Sequence, residues 1–500
     1  MLKRLRPLRG IRALLQGRMH ADAGKLKGGA LDPSSAVTNR MSDVTSSNAF
    51  PRLVDGDTSD VPLVEIGGGG ATNPFGPLTR RDSLRFHWLK GAPIVNRERA
   101  LSTAATSTVL EWVSCLFLVL CIHGCSDPVD SGPVSYPAPQ DTGDGWATAS
   151  PSEVGMDPAP LIRLVDAIRA HDRHFVHSVL VVRNGQLVFE EYFDGQQFDL
   201  VDGSPWDYEP VAFGINTLQF QGSVSKSITS ALVGIAVDRG LISGIEAPLF
   251  SFFPDYQELS TPEKEKITVA HLLTMRAGWP WHDDDIDAEG SDEVQMFLHE
   301  DPLRFVLERD LEWAPGSWME YHSGSTVLLG EIVRRVSGLD LEAFAFQYLF
   351  QPLGITEAIW ADCRNSPGVA FAGGGLYLRP RDMAKVGQLF LRGGAWEGTP
   401  VISSEWVSQS VQNAVISQSQ VTGHYLRTGY GFLWWIGRFD GGYDAYMAMG
   451  WGGQFIVVIP ELDLVTVVTG GNYDVNSSSA DVPFSIYDDI VYGHVLPAIR

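Results

Sequence analysis

The sequence predicts an α+β protein: an antiparallel sheet flanked by helices, with a mainly helical second subdomain. Three observations lead there. Strand-like runs cluster near residues 176–193 and return after residue 430, at the two ends of the globular part. The stretch between them, roughly 223–400, is mostly of helical period. The strand runs are joined by short turns, which suit antiparallel neighbours, so one sheet is expected to form from both ends of the domain.

The elements follow in chain order. Residues 1–108 read as a disordered or over-extended N-terminal segment, with Gly67-Gly68-Gly69-Gly70 and scattered Ser, Asp and Pro. Residues 109–125 read as a signal peptide. The apolar run Val113–Ile122 is too short to span a bilayer but suits a signal-peptide core. It ends at Ile122-His123-Gly124-Cys125, which resembles a bacterial lipobox in which Cys125 is lipidated and becomes the mature N-terminus. Arg97 and Arg99 would be its positive flank, which implies a translation start near Val95 or Leu101. The alternative is a short buried helix over 109–122. Residues 126–147, rich in Pro, Ser, Gly and Asp, read as a flexible linker, and residues 148–500 as the folded domain. An exported lipoprotein anchored in the bacterial envelope, or a secreted protein, is the expected location.

Within the domain, Leu161, Leu164, Val165 and Ile168 lie at helical spacing between Ala159 and His171, behind Pro158 and Pro160. The runs Val176–Val182 and Leu187–Phe193 flank Asn184-Gly185, the strongest short hairpin signal. Helical patterns begin at Ser223, Val269, Ser325 and Pro380. Strands are expected at Gly431–Ile436, Tyr443–Met449, Gln454–Ile459 and Leu464–Thr469, and a last helix at about Pro483–Ala498.

Charge narrows the partners. Residues 1–100 hold 16 Lys/Arg against 9 Asp/Glu, whereas residues 101–500 hold 21 against 51. So acidic a body argues against nucleic acid, and against a membrane except through a lipid anchor. Three of the four cysteines fall at 115, 121 and 125 and Cys363 stands alone, which is no disulfide framework. No cluster has zinc spacing, and the acidic run after His282 (Asp283, Asp284, Asp285, Asp287) lacks the spacing of a calcium loop, so it reads as a solvated rim. His271 reads as a structural helix residue.

The chemistry starts from lysine usage. After residue 125 the chain has four lysines, Lys226, Lys264, Lys266 and Lys385, and only Lys226 has a serine three residues before it. Ser223 and Lys226 open an apolar helix, and residues three apart share a helix face, so hydroxyl and amine can touch. Such a pair also fits a helix-capping serine with a snorkelling lysine. A second signal favours chemistry. Of fourteen tyrosines, only Tyr321 is followed two positions later by Ser or Asn, at Ser323. A phenol beside a cationic lysine becomes a phenolate at lower cost than its usual pKa of ~10 implies. Late in the chain, Trp451-Gly452-Gly453-Gln454 leads into the strand Phe455–Ile459, and glycines there let backbone approach a ligand.

From about residue 150 to 497 these features resemble the class C β-lactamase-related serine hydrolases, closest to the branch of 6-aminohexanoate-dimer hydrolase and family VIII-type esterases. The matching residues are Ser223-x-x-Lys226, His271-Leu272-Leu273-Thr274-Met275-x-x-Gly278, Pro315-Gly316, Tyr321-x-Ser323 and Gly373-Gly374-Gly375-Leu376. Pro380-Arg381-Asp382-Met383-Ala384, the aromatic run Gly429–Trp435 and Gly452-Gly453-Gln454 match as well.

The resemblance implies a β-lactamase/transpeptidase-like fold without metal or organic cofactor. Ser223 would be the nucleophile, Lys226 (kept neutral by desolvation) and Tyr321 the proton carriers, and Ser323 the support for Lys226. The N–H of Ser223 and a strand N–H near Gln454 would form the oxyanion hole. Trp451 stands where true β-lactamases carry a basic residue for the β-lactam carboxylate. That moves the expected substrate towards a small or short oligomeric ester or amide. β-Lactam or D-alanyl-D-alanine peptide cleavage is the alternative within the enzyme class, and a non-catalytic sensor or binding module the alternative outside it.

Overall fold

The computed structural model describes residues 135–171, 174–198, 200, 211–282, 290–412, 420–473 and 485–500. The expected signal peptide, Cys125 and the acidic residues 283–289 lie outside them. Among the described residues no helix is long and apolar enough to cross a membrane.

An antiparallel sheet of eight strands forms the centre. Its strands are β1 (Val176–Arg183), β2 (Gln186–Tyr192), β3 (Gln420–Thr422), β4 (Tyr425–Tyr430), β5 (Trp435–Phe439), β6 (Asp444–Gly450), β7 (Gln454–Ile459) and β8 (Leu464–Gly470). The order across the sheet is β3-β4-β5-β6-β7-β8-β1-β2, so the two ends of the domain meet where β1 pairs with β8, Leu180 opposite Val467. The β1–β2 hairpin turns on Asn184 and Gly185, both at positive φ (52° and 77°), as the Asn-Gly signal predicts.

Alternation within each strand divides the core. Val179, Val181, Val457, Ile459, Leu464 and Val468 face one side, where α1 (Pro158–Ala170) and the C-terminal helix cover them. Leu180, Val182, Ile456, Val458, Val465 and Val467 face the other, under α2 (Val224–Asp238) and α5 (Pro380–Leu391). A sheet covered on both faces explains why β7 and β8 read as nearly continuous apolar runs. The helix α2 is buried on all sides because it runs between this sheet and α4 (Ser323–Ser337), and Val224 to Ala236 are all buried.

Local signals account for most boundaries. Asp157 accepts the Ala159 N–H at 3.0 Å to start α1, and Ser291 caps α3 (Asp292–Leu298). The helix expected from Ser325 begins two residues earlier, because His322 accepts the Ser325 N–H and acts as its cap. The C-terminal helix runs over Ile486–Val495 and Leu496–Ala498, starting from the Ser485 hydroxyl.

Two expectations differ. The run Gly431–Ile436 is not one strand: residues 431–434 turn between β4 and β5, and only Trp435 and Ile436 belong to β5. Leu433 there has φ 62°, donates its N–H to the Leu273 carbonyl, and accepts the Ser227 hydroxyl at 2.6 Å. These tertiary bonds outweigh the β-propensity of the aromatics. The described part of the expected linker, residues 135–147, is docked on the domain. The buried Arg381 bonds the Gln140 carbonyl, Thr142, Asp144 and Glu190, Trp146 is buried against the core, and Tyr136 packs on Phe189. The Pro380–Ala384 motif thus ties this leading segment to β2.

Candidate active site

The site forms at the N-terminus of α2. The strand Gln219–Phe220 pairs with Leu376–Leu378, the Gln221 N–H continues to the Leu376 carbonyl, and Gly222 turns the chain at φ 50° into the helix. Ser223 occupies the cap position, yet its hydroxyl makes no cap hydrogen bond. Instead its Oγ faces Lys226 Nζ at 2.9 Å. The serine is therefore not consumed by helix capping, and the lysine does not snorkel: Lys226 is 2 % exposed.

Lys226 Nζ has two other neighbours, Ser323 Oγ at 2.7 Å and the Gly373 carbonyl oxygen at 2.9 Å. Thr229 at the next turn of α2 donates to the Ala372 carbonyl, which fastens the 372–374 turn beside the lysine. A carbonyl can only accept, so one lysine N–H is committed to Gly373. Ser323 Oγ lies 2.5 Å from Glu293 Oε1 on α3 and donates its proton there, which leaves its lone pairs for a second lysine N–H. The remaining tetrahedral position of the amine points at Ser223. Whenever the amine is unprotonated, a lone pair in that position can receive the serine proton.

Tyr321 precedes α4, with its ring centroid 5.0 Å from Lys226 Nζ. The ring stacks on Trp435 at 5.3 Å and meets the edge of buried Tyr430 at 6.0 Å, and the Arg427 guanidinium covers the other partner, Trp435, at 4.4 Å. The Tyr321 hydroxyl makes no hydrogen bond to a described residue, so among the described residues this side chain is held through its ring. Next to it, the buried His322 is pushed down to about 3, first by desolvation and then by the positive charge of Lys226, and stays neutral.

The strand end beside Ser223 differs from expectation. A β-carbon on Gly450 would lie 3.2 Å from the Ser223 nitrogen, and one on Gly222 would lie 2.9 Å from the Trp451 nitrogen. The backbone nearest the nucleophile is therefore Gly450–Trp451, and among the described residues neither the Ser223 nor the Trp451 N–H donates to a loop or turn carbonyl. Gln454 pairs with Gly450 from the next strand, β7, and its fully buried amide is spent on the Gly470 backbone at 2.6 Å and 3.3 Å. Gly452 and Gly453 have φ of 85° and 96° and make the β6–β7 turn, with Gly452 against Tyr473. Gln454, Gly452 and Gly453 thus shape the hairpin rather than the oxyanion or substrate contacts expected of them, because the two glycines make the turn and Gln454 starts the next strand. The Trp451 ring packs edge-on against Phe198 and Tyr473, both at 5.0 Å, beside buried Phe220 and Tyr377.

The other motif residues are structural. His271 Nδ1 accepts the Thr268 N–H at 3.1 Å. Cys363 is buried, which pushes its thiol up and makes it inert. Glu293 was not legible in sequence: it lies 30 residues from Ser323, and no spacing rule links them.

The chain is similar to known proteins in both sequence and fold. Residues 161–470 match the family described as Beta-lactamase. The 6-aminohexanoate-dimer hydrolase of Paenarthrobacter ureafaciens is 26% identical over 336 residues, 64% of this chain and 79% of that protein. A β-lactamase of Escherichia coli K12 is 33% identical over 156 residues, 30% of this chain and 38% of that protein. Among solved structures, one from Bacillus anthracis, provisionally described as a 6-aminohexanoate-dimer hydrolase, superposes with a TM-score of 0.51 at 20% identity, covering 67% of this chain and 80% of that one. A hydrolase with promiscuous acyltransferase activity superposes with a TM-score of 0.50 at 15% identity, covering 66% of this chain and 98% of that one.

Proposed function

We propose that this chain, which belongs to the beta-lactamase family, cleaves short esters or amides with a neutral, apolar acyl group, using Ser223 as nucleophile. It is a serine hydrolase of the beta-lactamase-related type, a class that works through an acyl-enzyme. The observation that carries the assignment to Ser223 is the 2.9 Å contact with Lys226, whose other two directions are occupied by Ser323 and the Gly373 carbonyl.

The proposed sequence is as follows. Ser223 gives its proton to the Lys226 lone pair as Oγ attacks the acyl carbon. The N–H groups of Ser223 and Trp451 stabilise the oxyanion. Tyr321, lying against Lys226, protonates the departing alcohol or amine and recovers a proton from the lysine. Water then attacks the acyl carbon and gives a proton to the same pair; the bond between that carbon and Ser223 Oγ breaks, Ser223 takes the proton back, and the acid is released. Trp451 with Phe198 and Tyr473 offers an apolar wall where a β-lactamase needs a cation, which supports esters and neutral amides over carboxylate-bearing β-lactams.

A fluorophosphonate probe tests this directly. The full chain is expected to gain one covalent adduct at Ser223, and Ser223→Ala to gain none. A folded protein that never labels is a binding module rather than an enzyme. A panel of p-nitrophenyl esters, linear amides and nitrocefin then ranks substrates, and nitrocefin turnover faster than the esters would overturn the substrate assignment.

We also propose export with lipidation at Cys125, supported by the apolar run 113–122 and the Ile122–Cys125 motif. Intact mass of the mature protein tests it; a form retaining residues 1–94 sinks it.

A further inference from the structure

We propose that Glu293 is a positioning residue for acylation: through the Ser323 hydroxyl its carboxylate orients Lys226 and stabilises the ammonium formed when Ser223 is deprotonated. This inference rests on the reading of Ser223 as nucleophile and Lys226 as its base.

The argument is one of hydrogen-bond direction. A serine hydroxyl has one proton and two lone pairs. With its proton on Glu293 Oε1 at 2.5 Å, Ser323 can only accept from Lys226, at 2.7 Å. The Gly373 carbonyl likewise only accepts, at 2.9 Å. Two lysine N–H bonds are thereby directed away from Ser223, and the third position of the nitrogen is aimed at it. If Ser323 lacked its carboxylate partner, its proton could turn toward the amine and compete with Ser223 for the lone pair. The carboxylate thus selects which neighbour the base attacks.

Charge adds a second effect. When Ser223 loses its proton the lysine becomes an ammonium, and an anion one hydroxyl away lowers the energy of that state. The proton moves from Ser223 Oγ to Lys226 Nζ only; Ser323 keeps its own proton and Glu293 stays ionised throughout. Among the described residues, no other group around the lysine replaces this anion. His322 at the head of α4 is neutral, Tyr430 is a phenol, and Cys363 is a protonated thiol on the Glu293 side. On α3, Asp292 is paired with Arg309 at 2.5 Å and with His282. Arg427 lies beyond Trp435.

The experiment compares the full chain with Glu293→Gln, Glu293→Asp and Ser323→Ala, using pH profiles of kcat/KM on an ester together with fluorophosphonate labelling and thermal midpoints. Glu293→Gln is expected to keep labelling at Ser223, lose about tenfold to a hundredfold in kcat/KM, and move the acidic limb about one pH unit lower, because the ammonium loses its anion. Glu293→Asp keeps the charge and should hold the limb near that of the parent. Ser323→Ala should move the limb in the same direction as Glu293→Gln, and the double variant should lose much less than the product of the two. A Glu293→Gln profile superimposable on the parent, or a change in thermal midpoint alone, overturns the proposal while leaving Ser223 as nucleophile. Should Glu293→Gln not fold, an unmoved limb in Ser323→Ala overturns it equally. Absence of labelling in the parent overturns the underlying reading as well.

Discussion

The β-carbon that Gly373 lacks would fall 2.6 Å from Ser323 Oγ. These two residues meet side by side at Lys226, one accepting through a carbonyl and one through a hydroxyl, and together they confine the amine. Only glycine at 373 permits it, and the reason is contact rather than backbone angle.

Gly373→Ala should therefore push Ser323 off the lysine. Overpacking of this kind costs about 1–3 kcal/mol in stability, and kcat/KM should drop at least about tenfold as the base loses its orientation. Urea unfolding and ester hydrolysis on the same preparation check both. Rates like the parent's would show that the Ser323 contact is dispensable.

Tyr321→Phe separates the phenol from its ring. Stacking on Trp435 and Tyr430 is retained and no hydrogen bond to a described residue is lost, so thermal stability should be nearly unchanged. If the hydroxyl carries the leaving-group proton, kcat should fall by about 10²–10⁴. A variant with parental kcat would remove Tyr321 from the mechanism.

Trp451→Ala keeps the backbone N–H but removes the ring packed on Phe198 and Tyr473. Labelling at Ser223 should persist, while KM for esters with bulky apolar acyl groups should rise by roughly tenfold, within the worth of an aromatic contact. Loss of labelling instead would mean that the indole, not the amide, supports the chemistry.

Arg381→Met tests the anchoring of the leading segment. Arg381 and Glu190 are both buried and 2.5 Å apart, and deleting one partner strands the other's charge at a cost of about 3–5 kcal/mol. Chemical denaturation should register that loss, with kcat of the folded fraction unaltered.

Acid sensitivity should trace in part to His322. Burial, then Lys226, depresses it to about 3 from an ordinary value near 6.5. The unfolded chain therefore binds a proton below pH ~6.5 that the folded one refuses, and stability falls as pH drops through that window. At pH 5 the deficit is about 2 kcal/mol. His322→Asn retains a capping acceptor for the Ser325 N–H and should lessen the loss between pH 7 and pH 5, read from urea midpoints. An unchanged pH slope would discount the histidine.

The sequence by itself determined the parts of this protein that are governed by nearest neighbours along an element. Ser223 and Lys226 meet because residues three apart share a helix face. Asn184-Gly185 turns a hairpin because both positions take positive φ, and the apolar runs at 176–182, 454–459 and 464–469 are strands covered on both sides. Tertiary structure alone decided the rest. It made a turn of the aromatics at 431–434, docked residues 135–147 onto Arg381, set Trp451 rather than Gln454 beside the nucleophile, and brought Glu293 to Ser323. Those outcomes depend on strand register and on packing between segments from about 30 to over 200 residues apart, and such contacts leave no periodic trace in the chain.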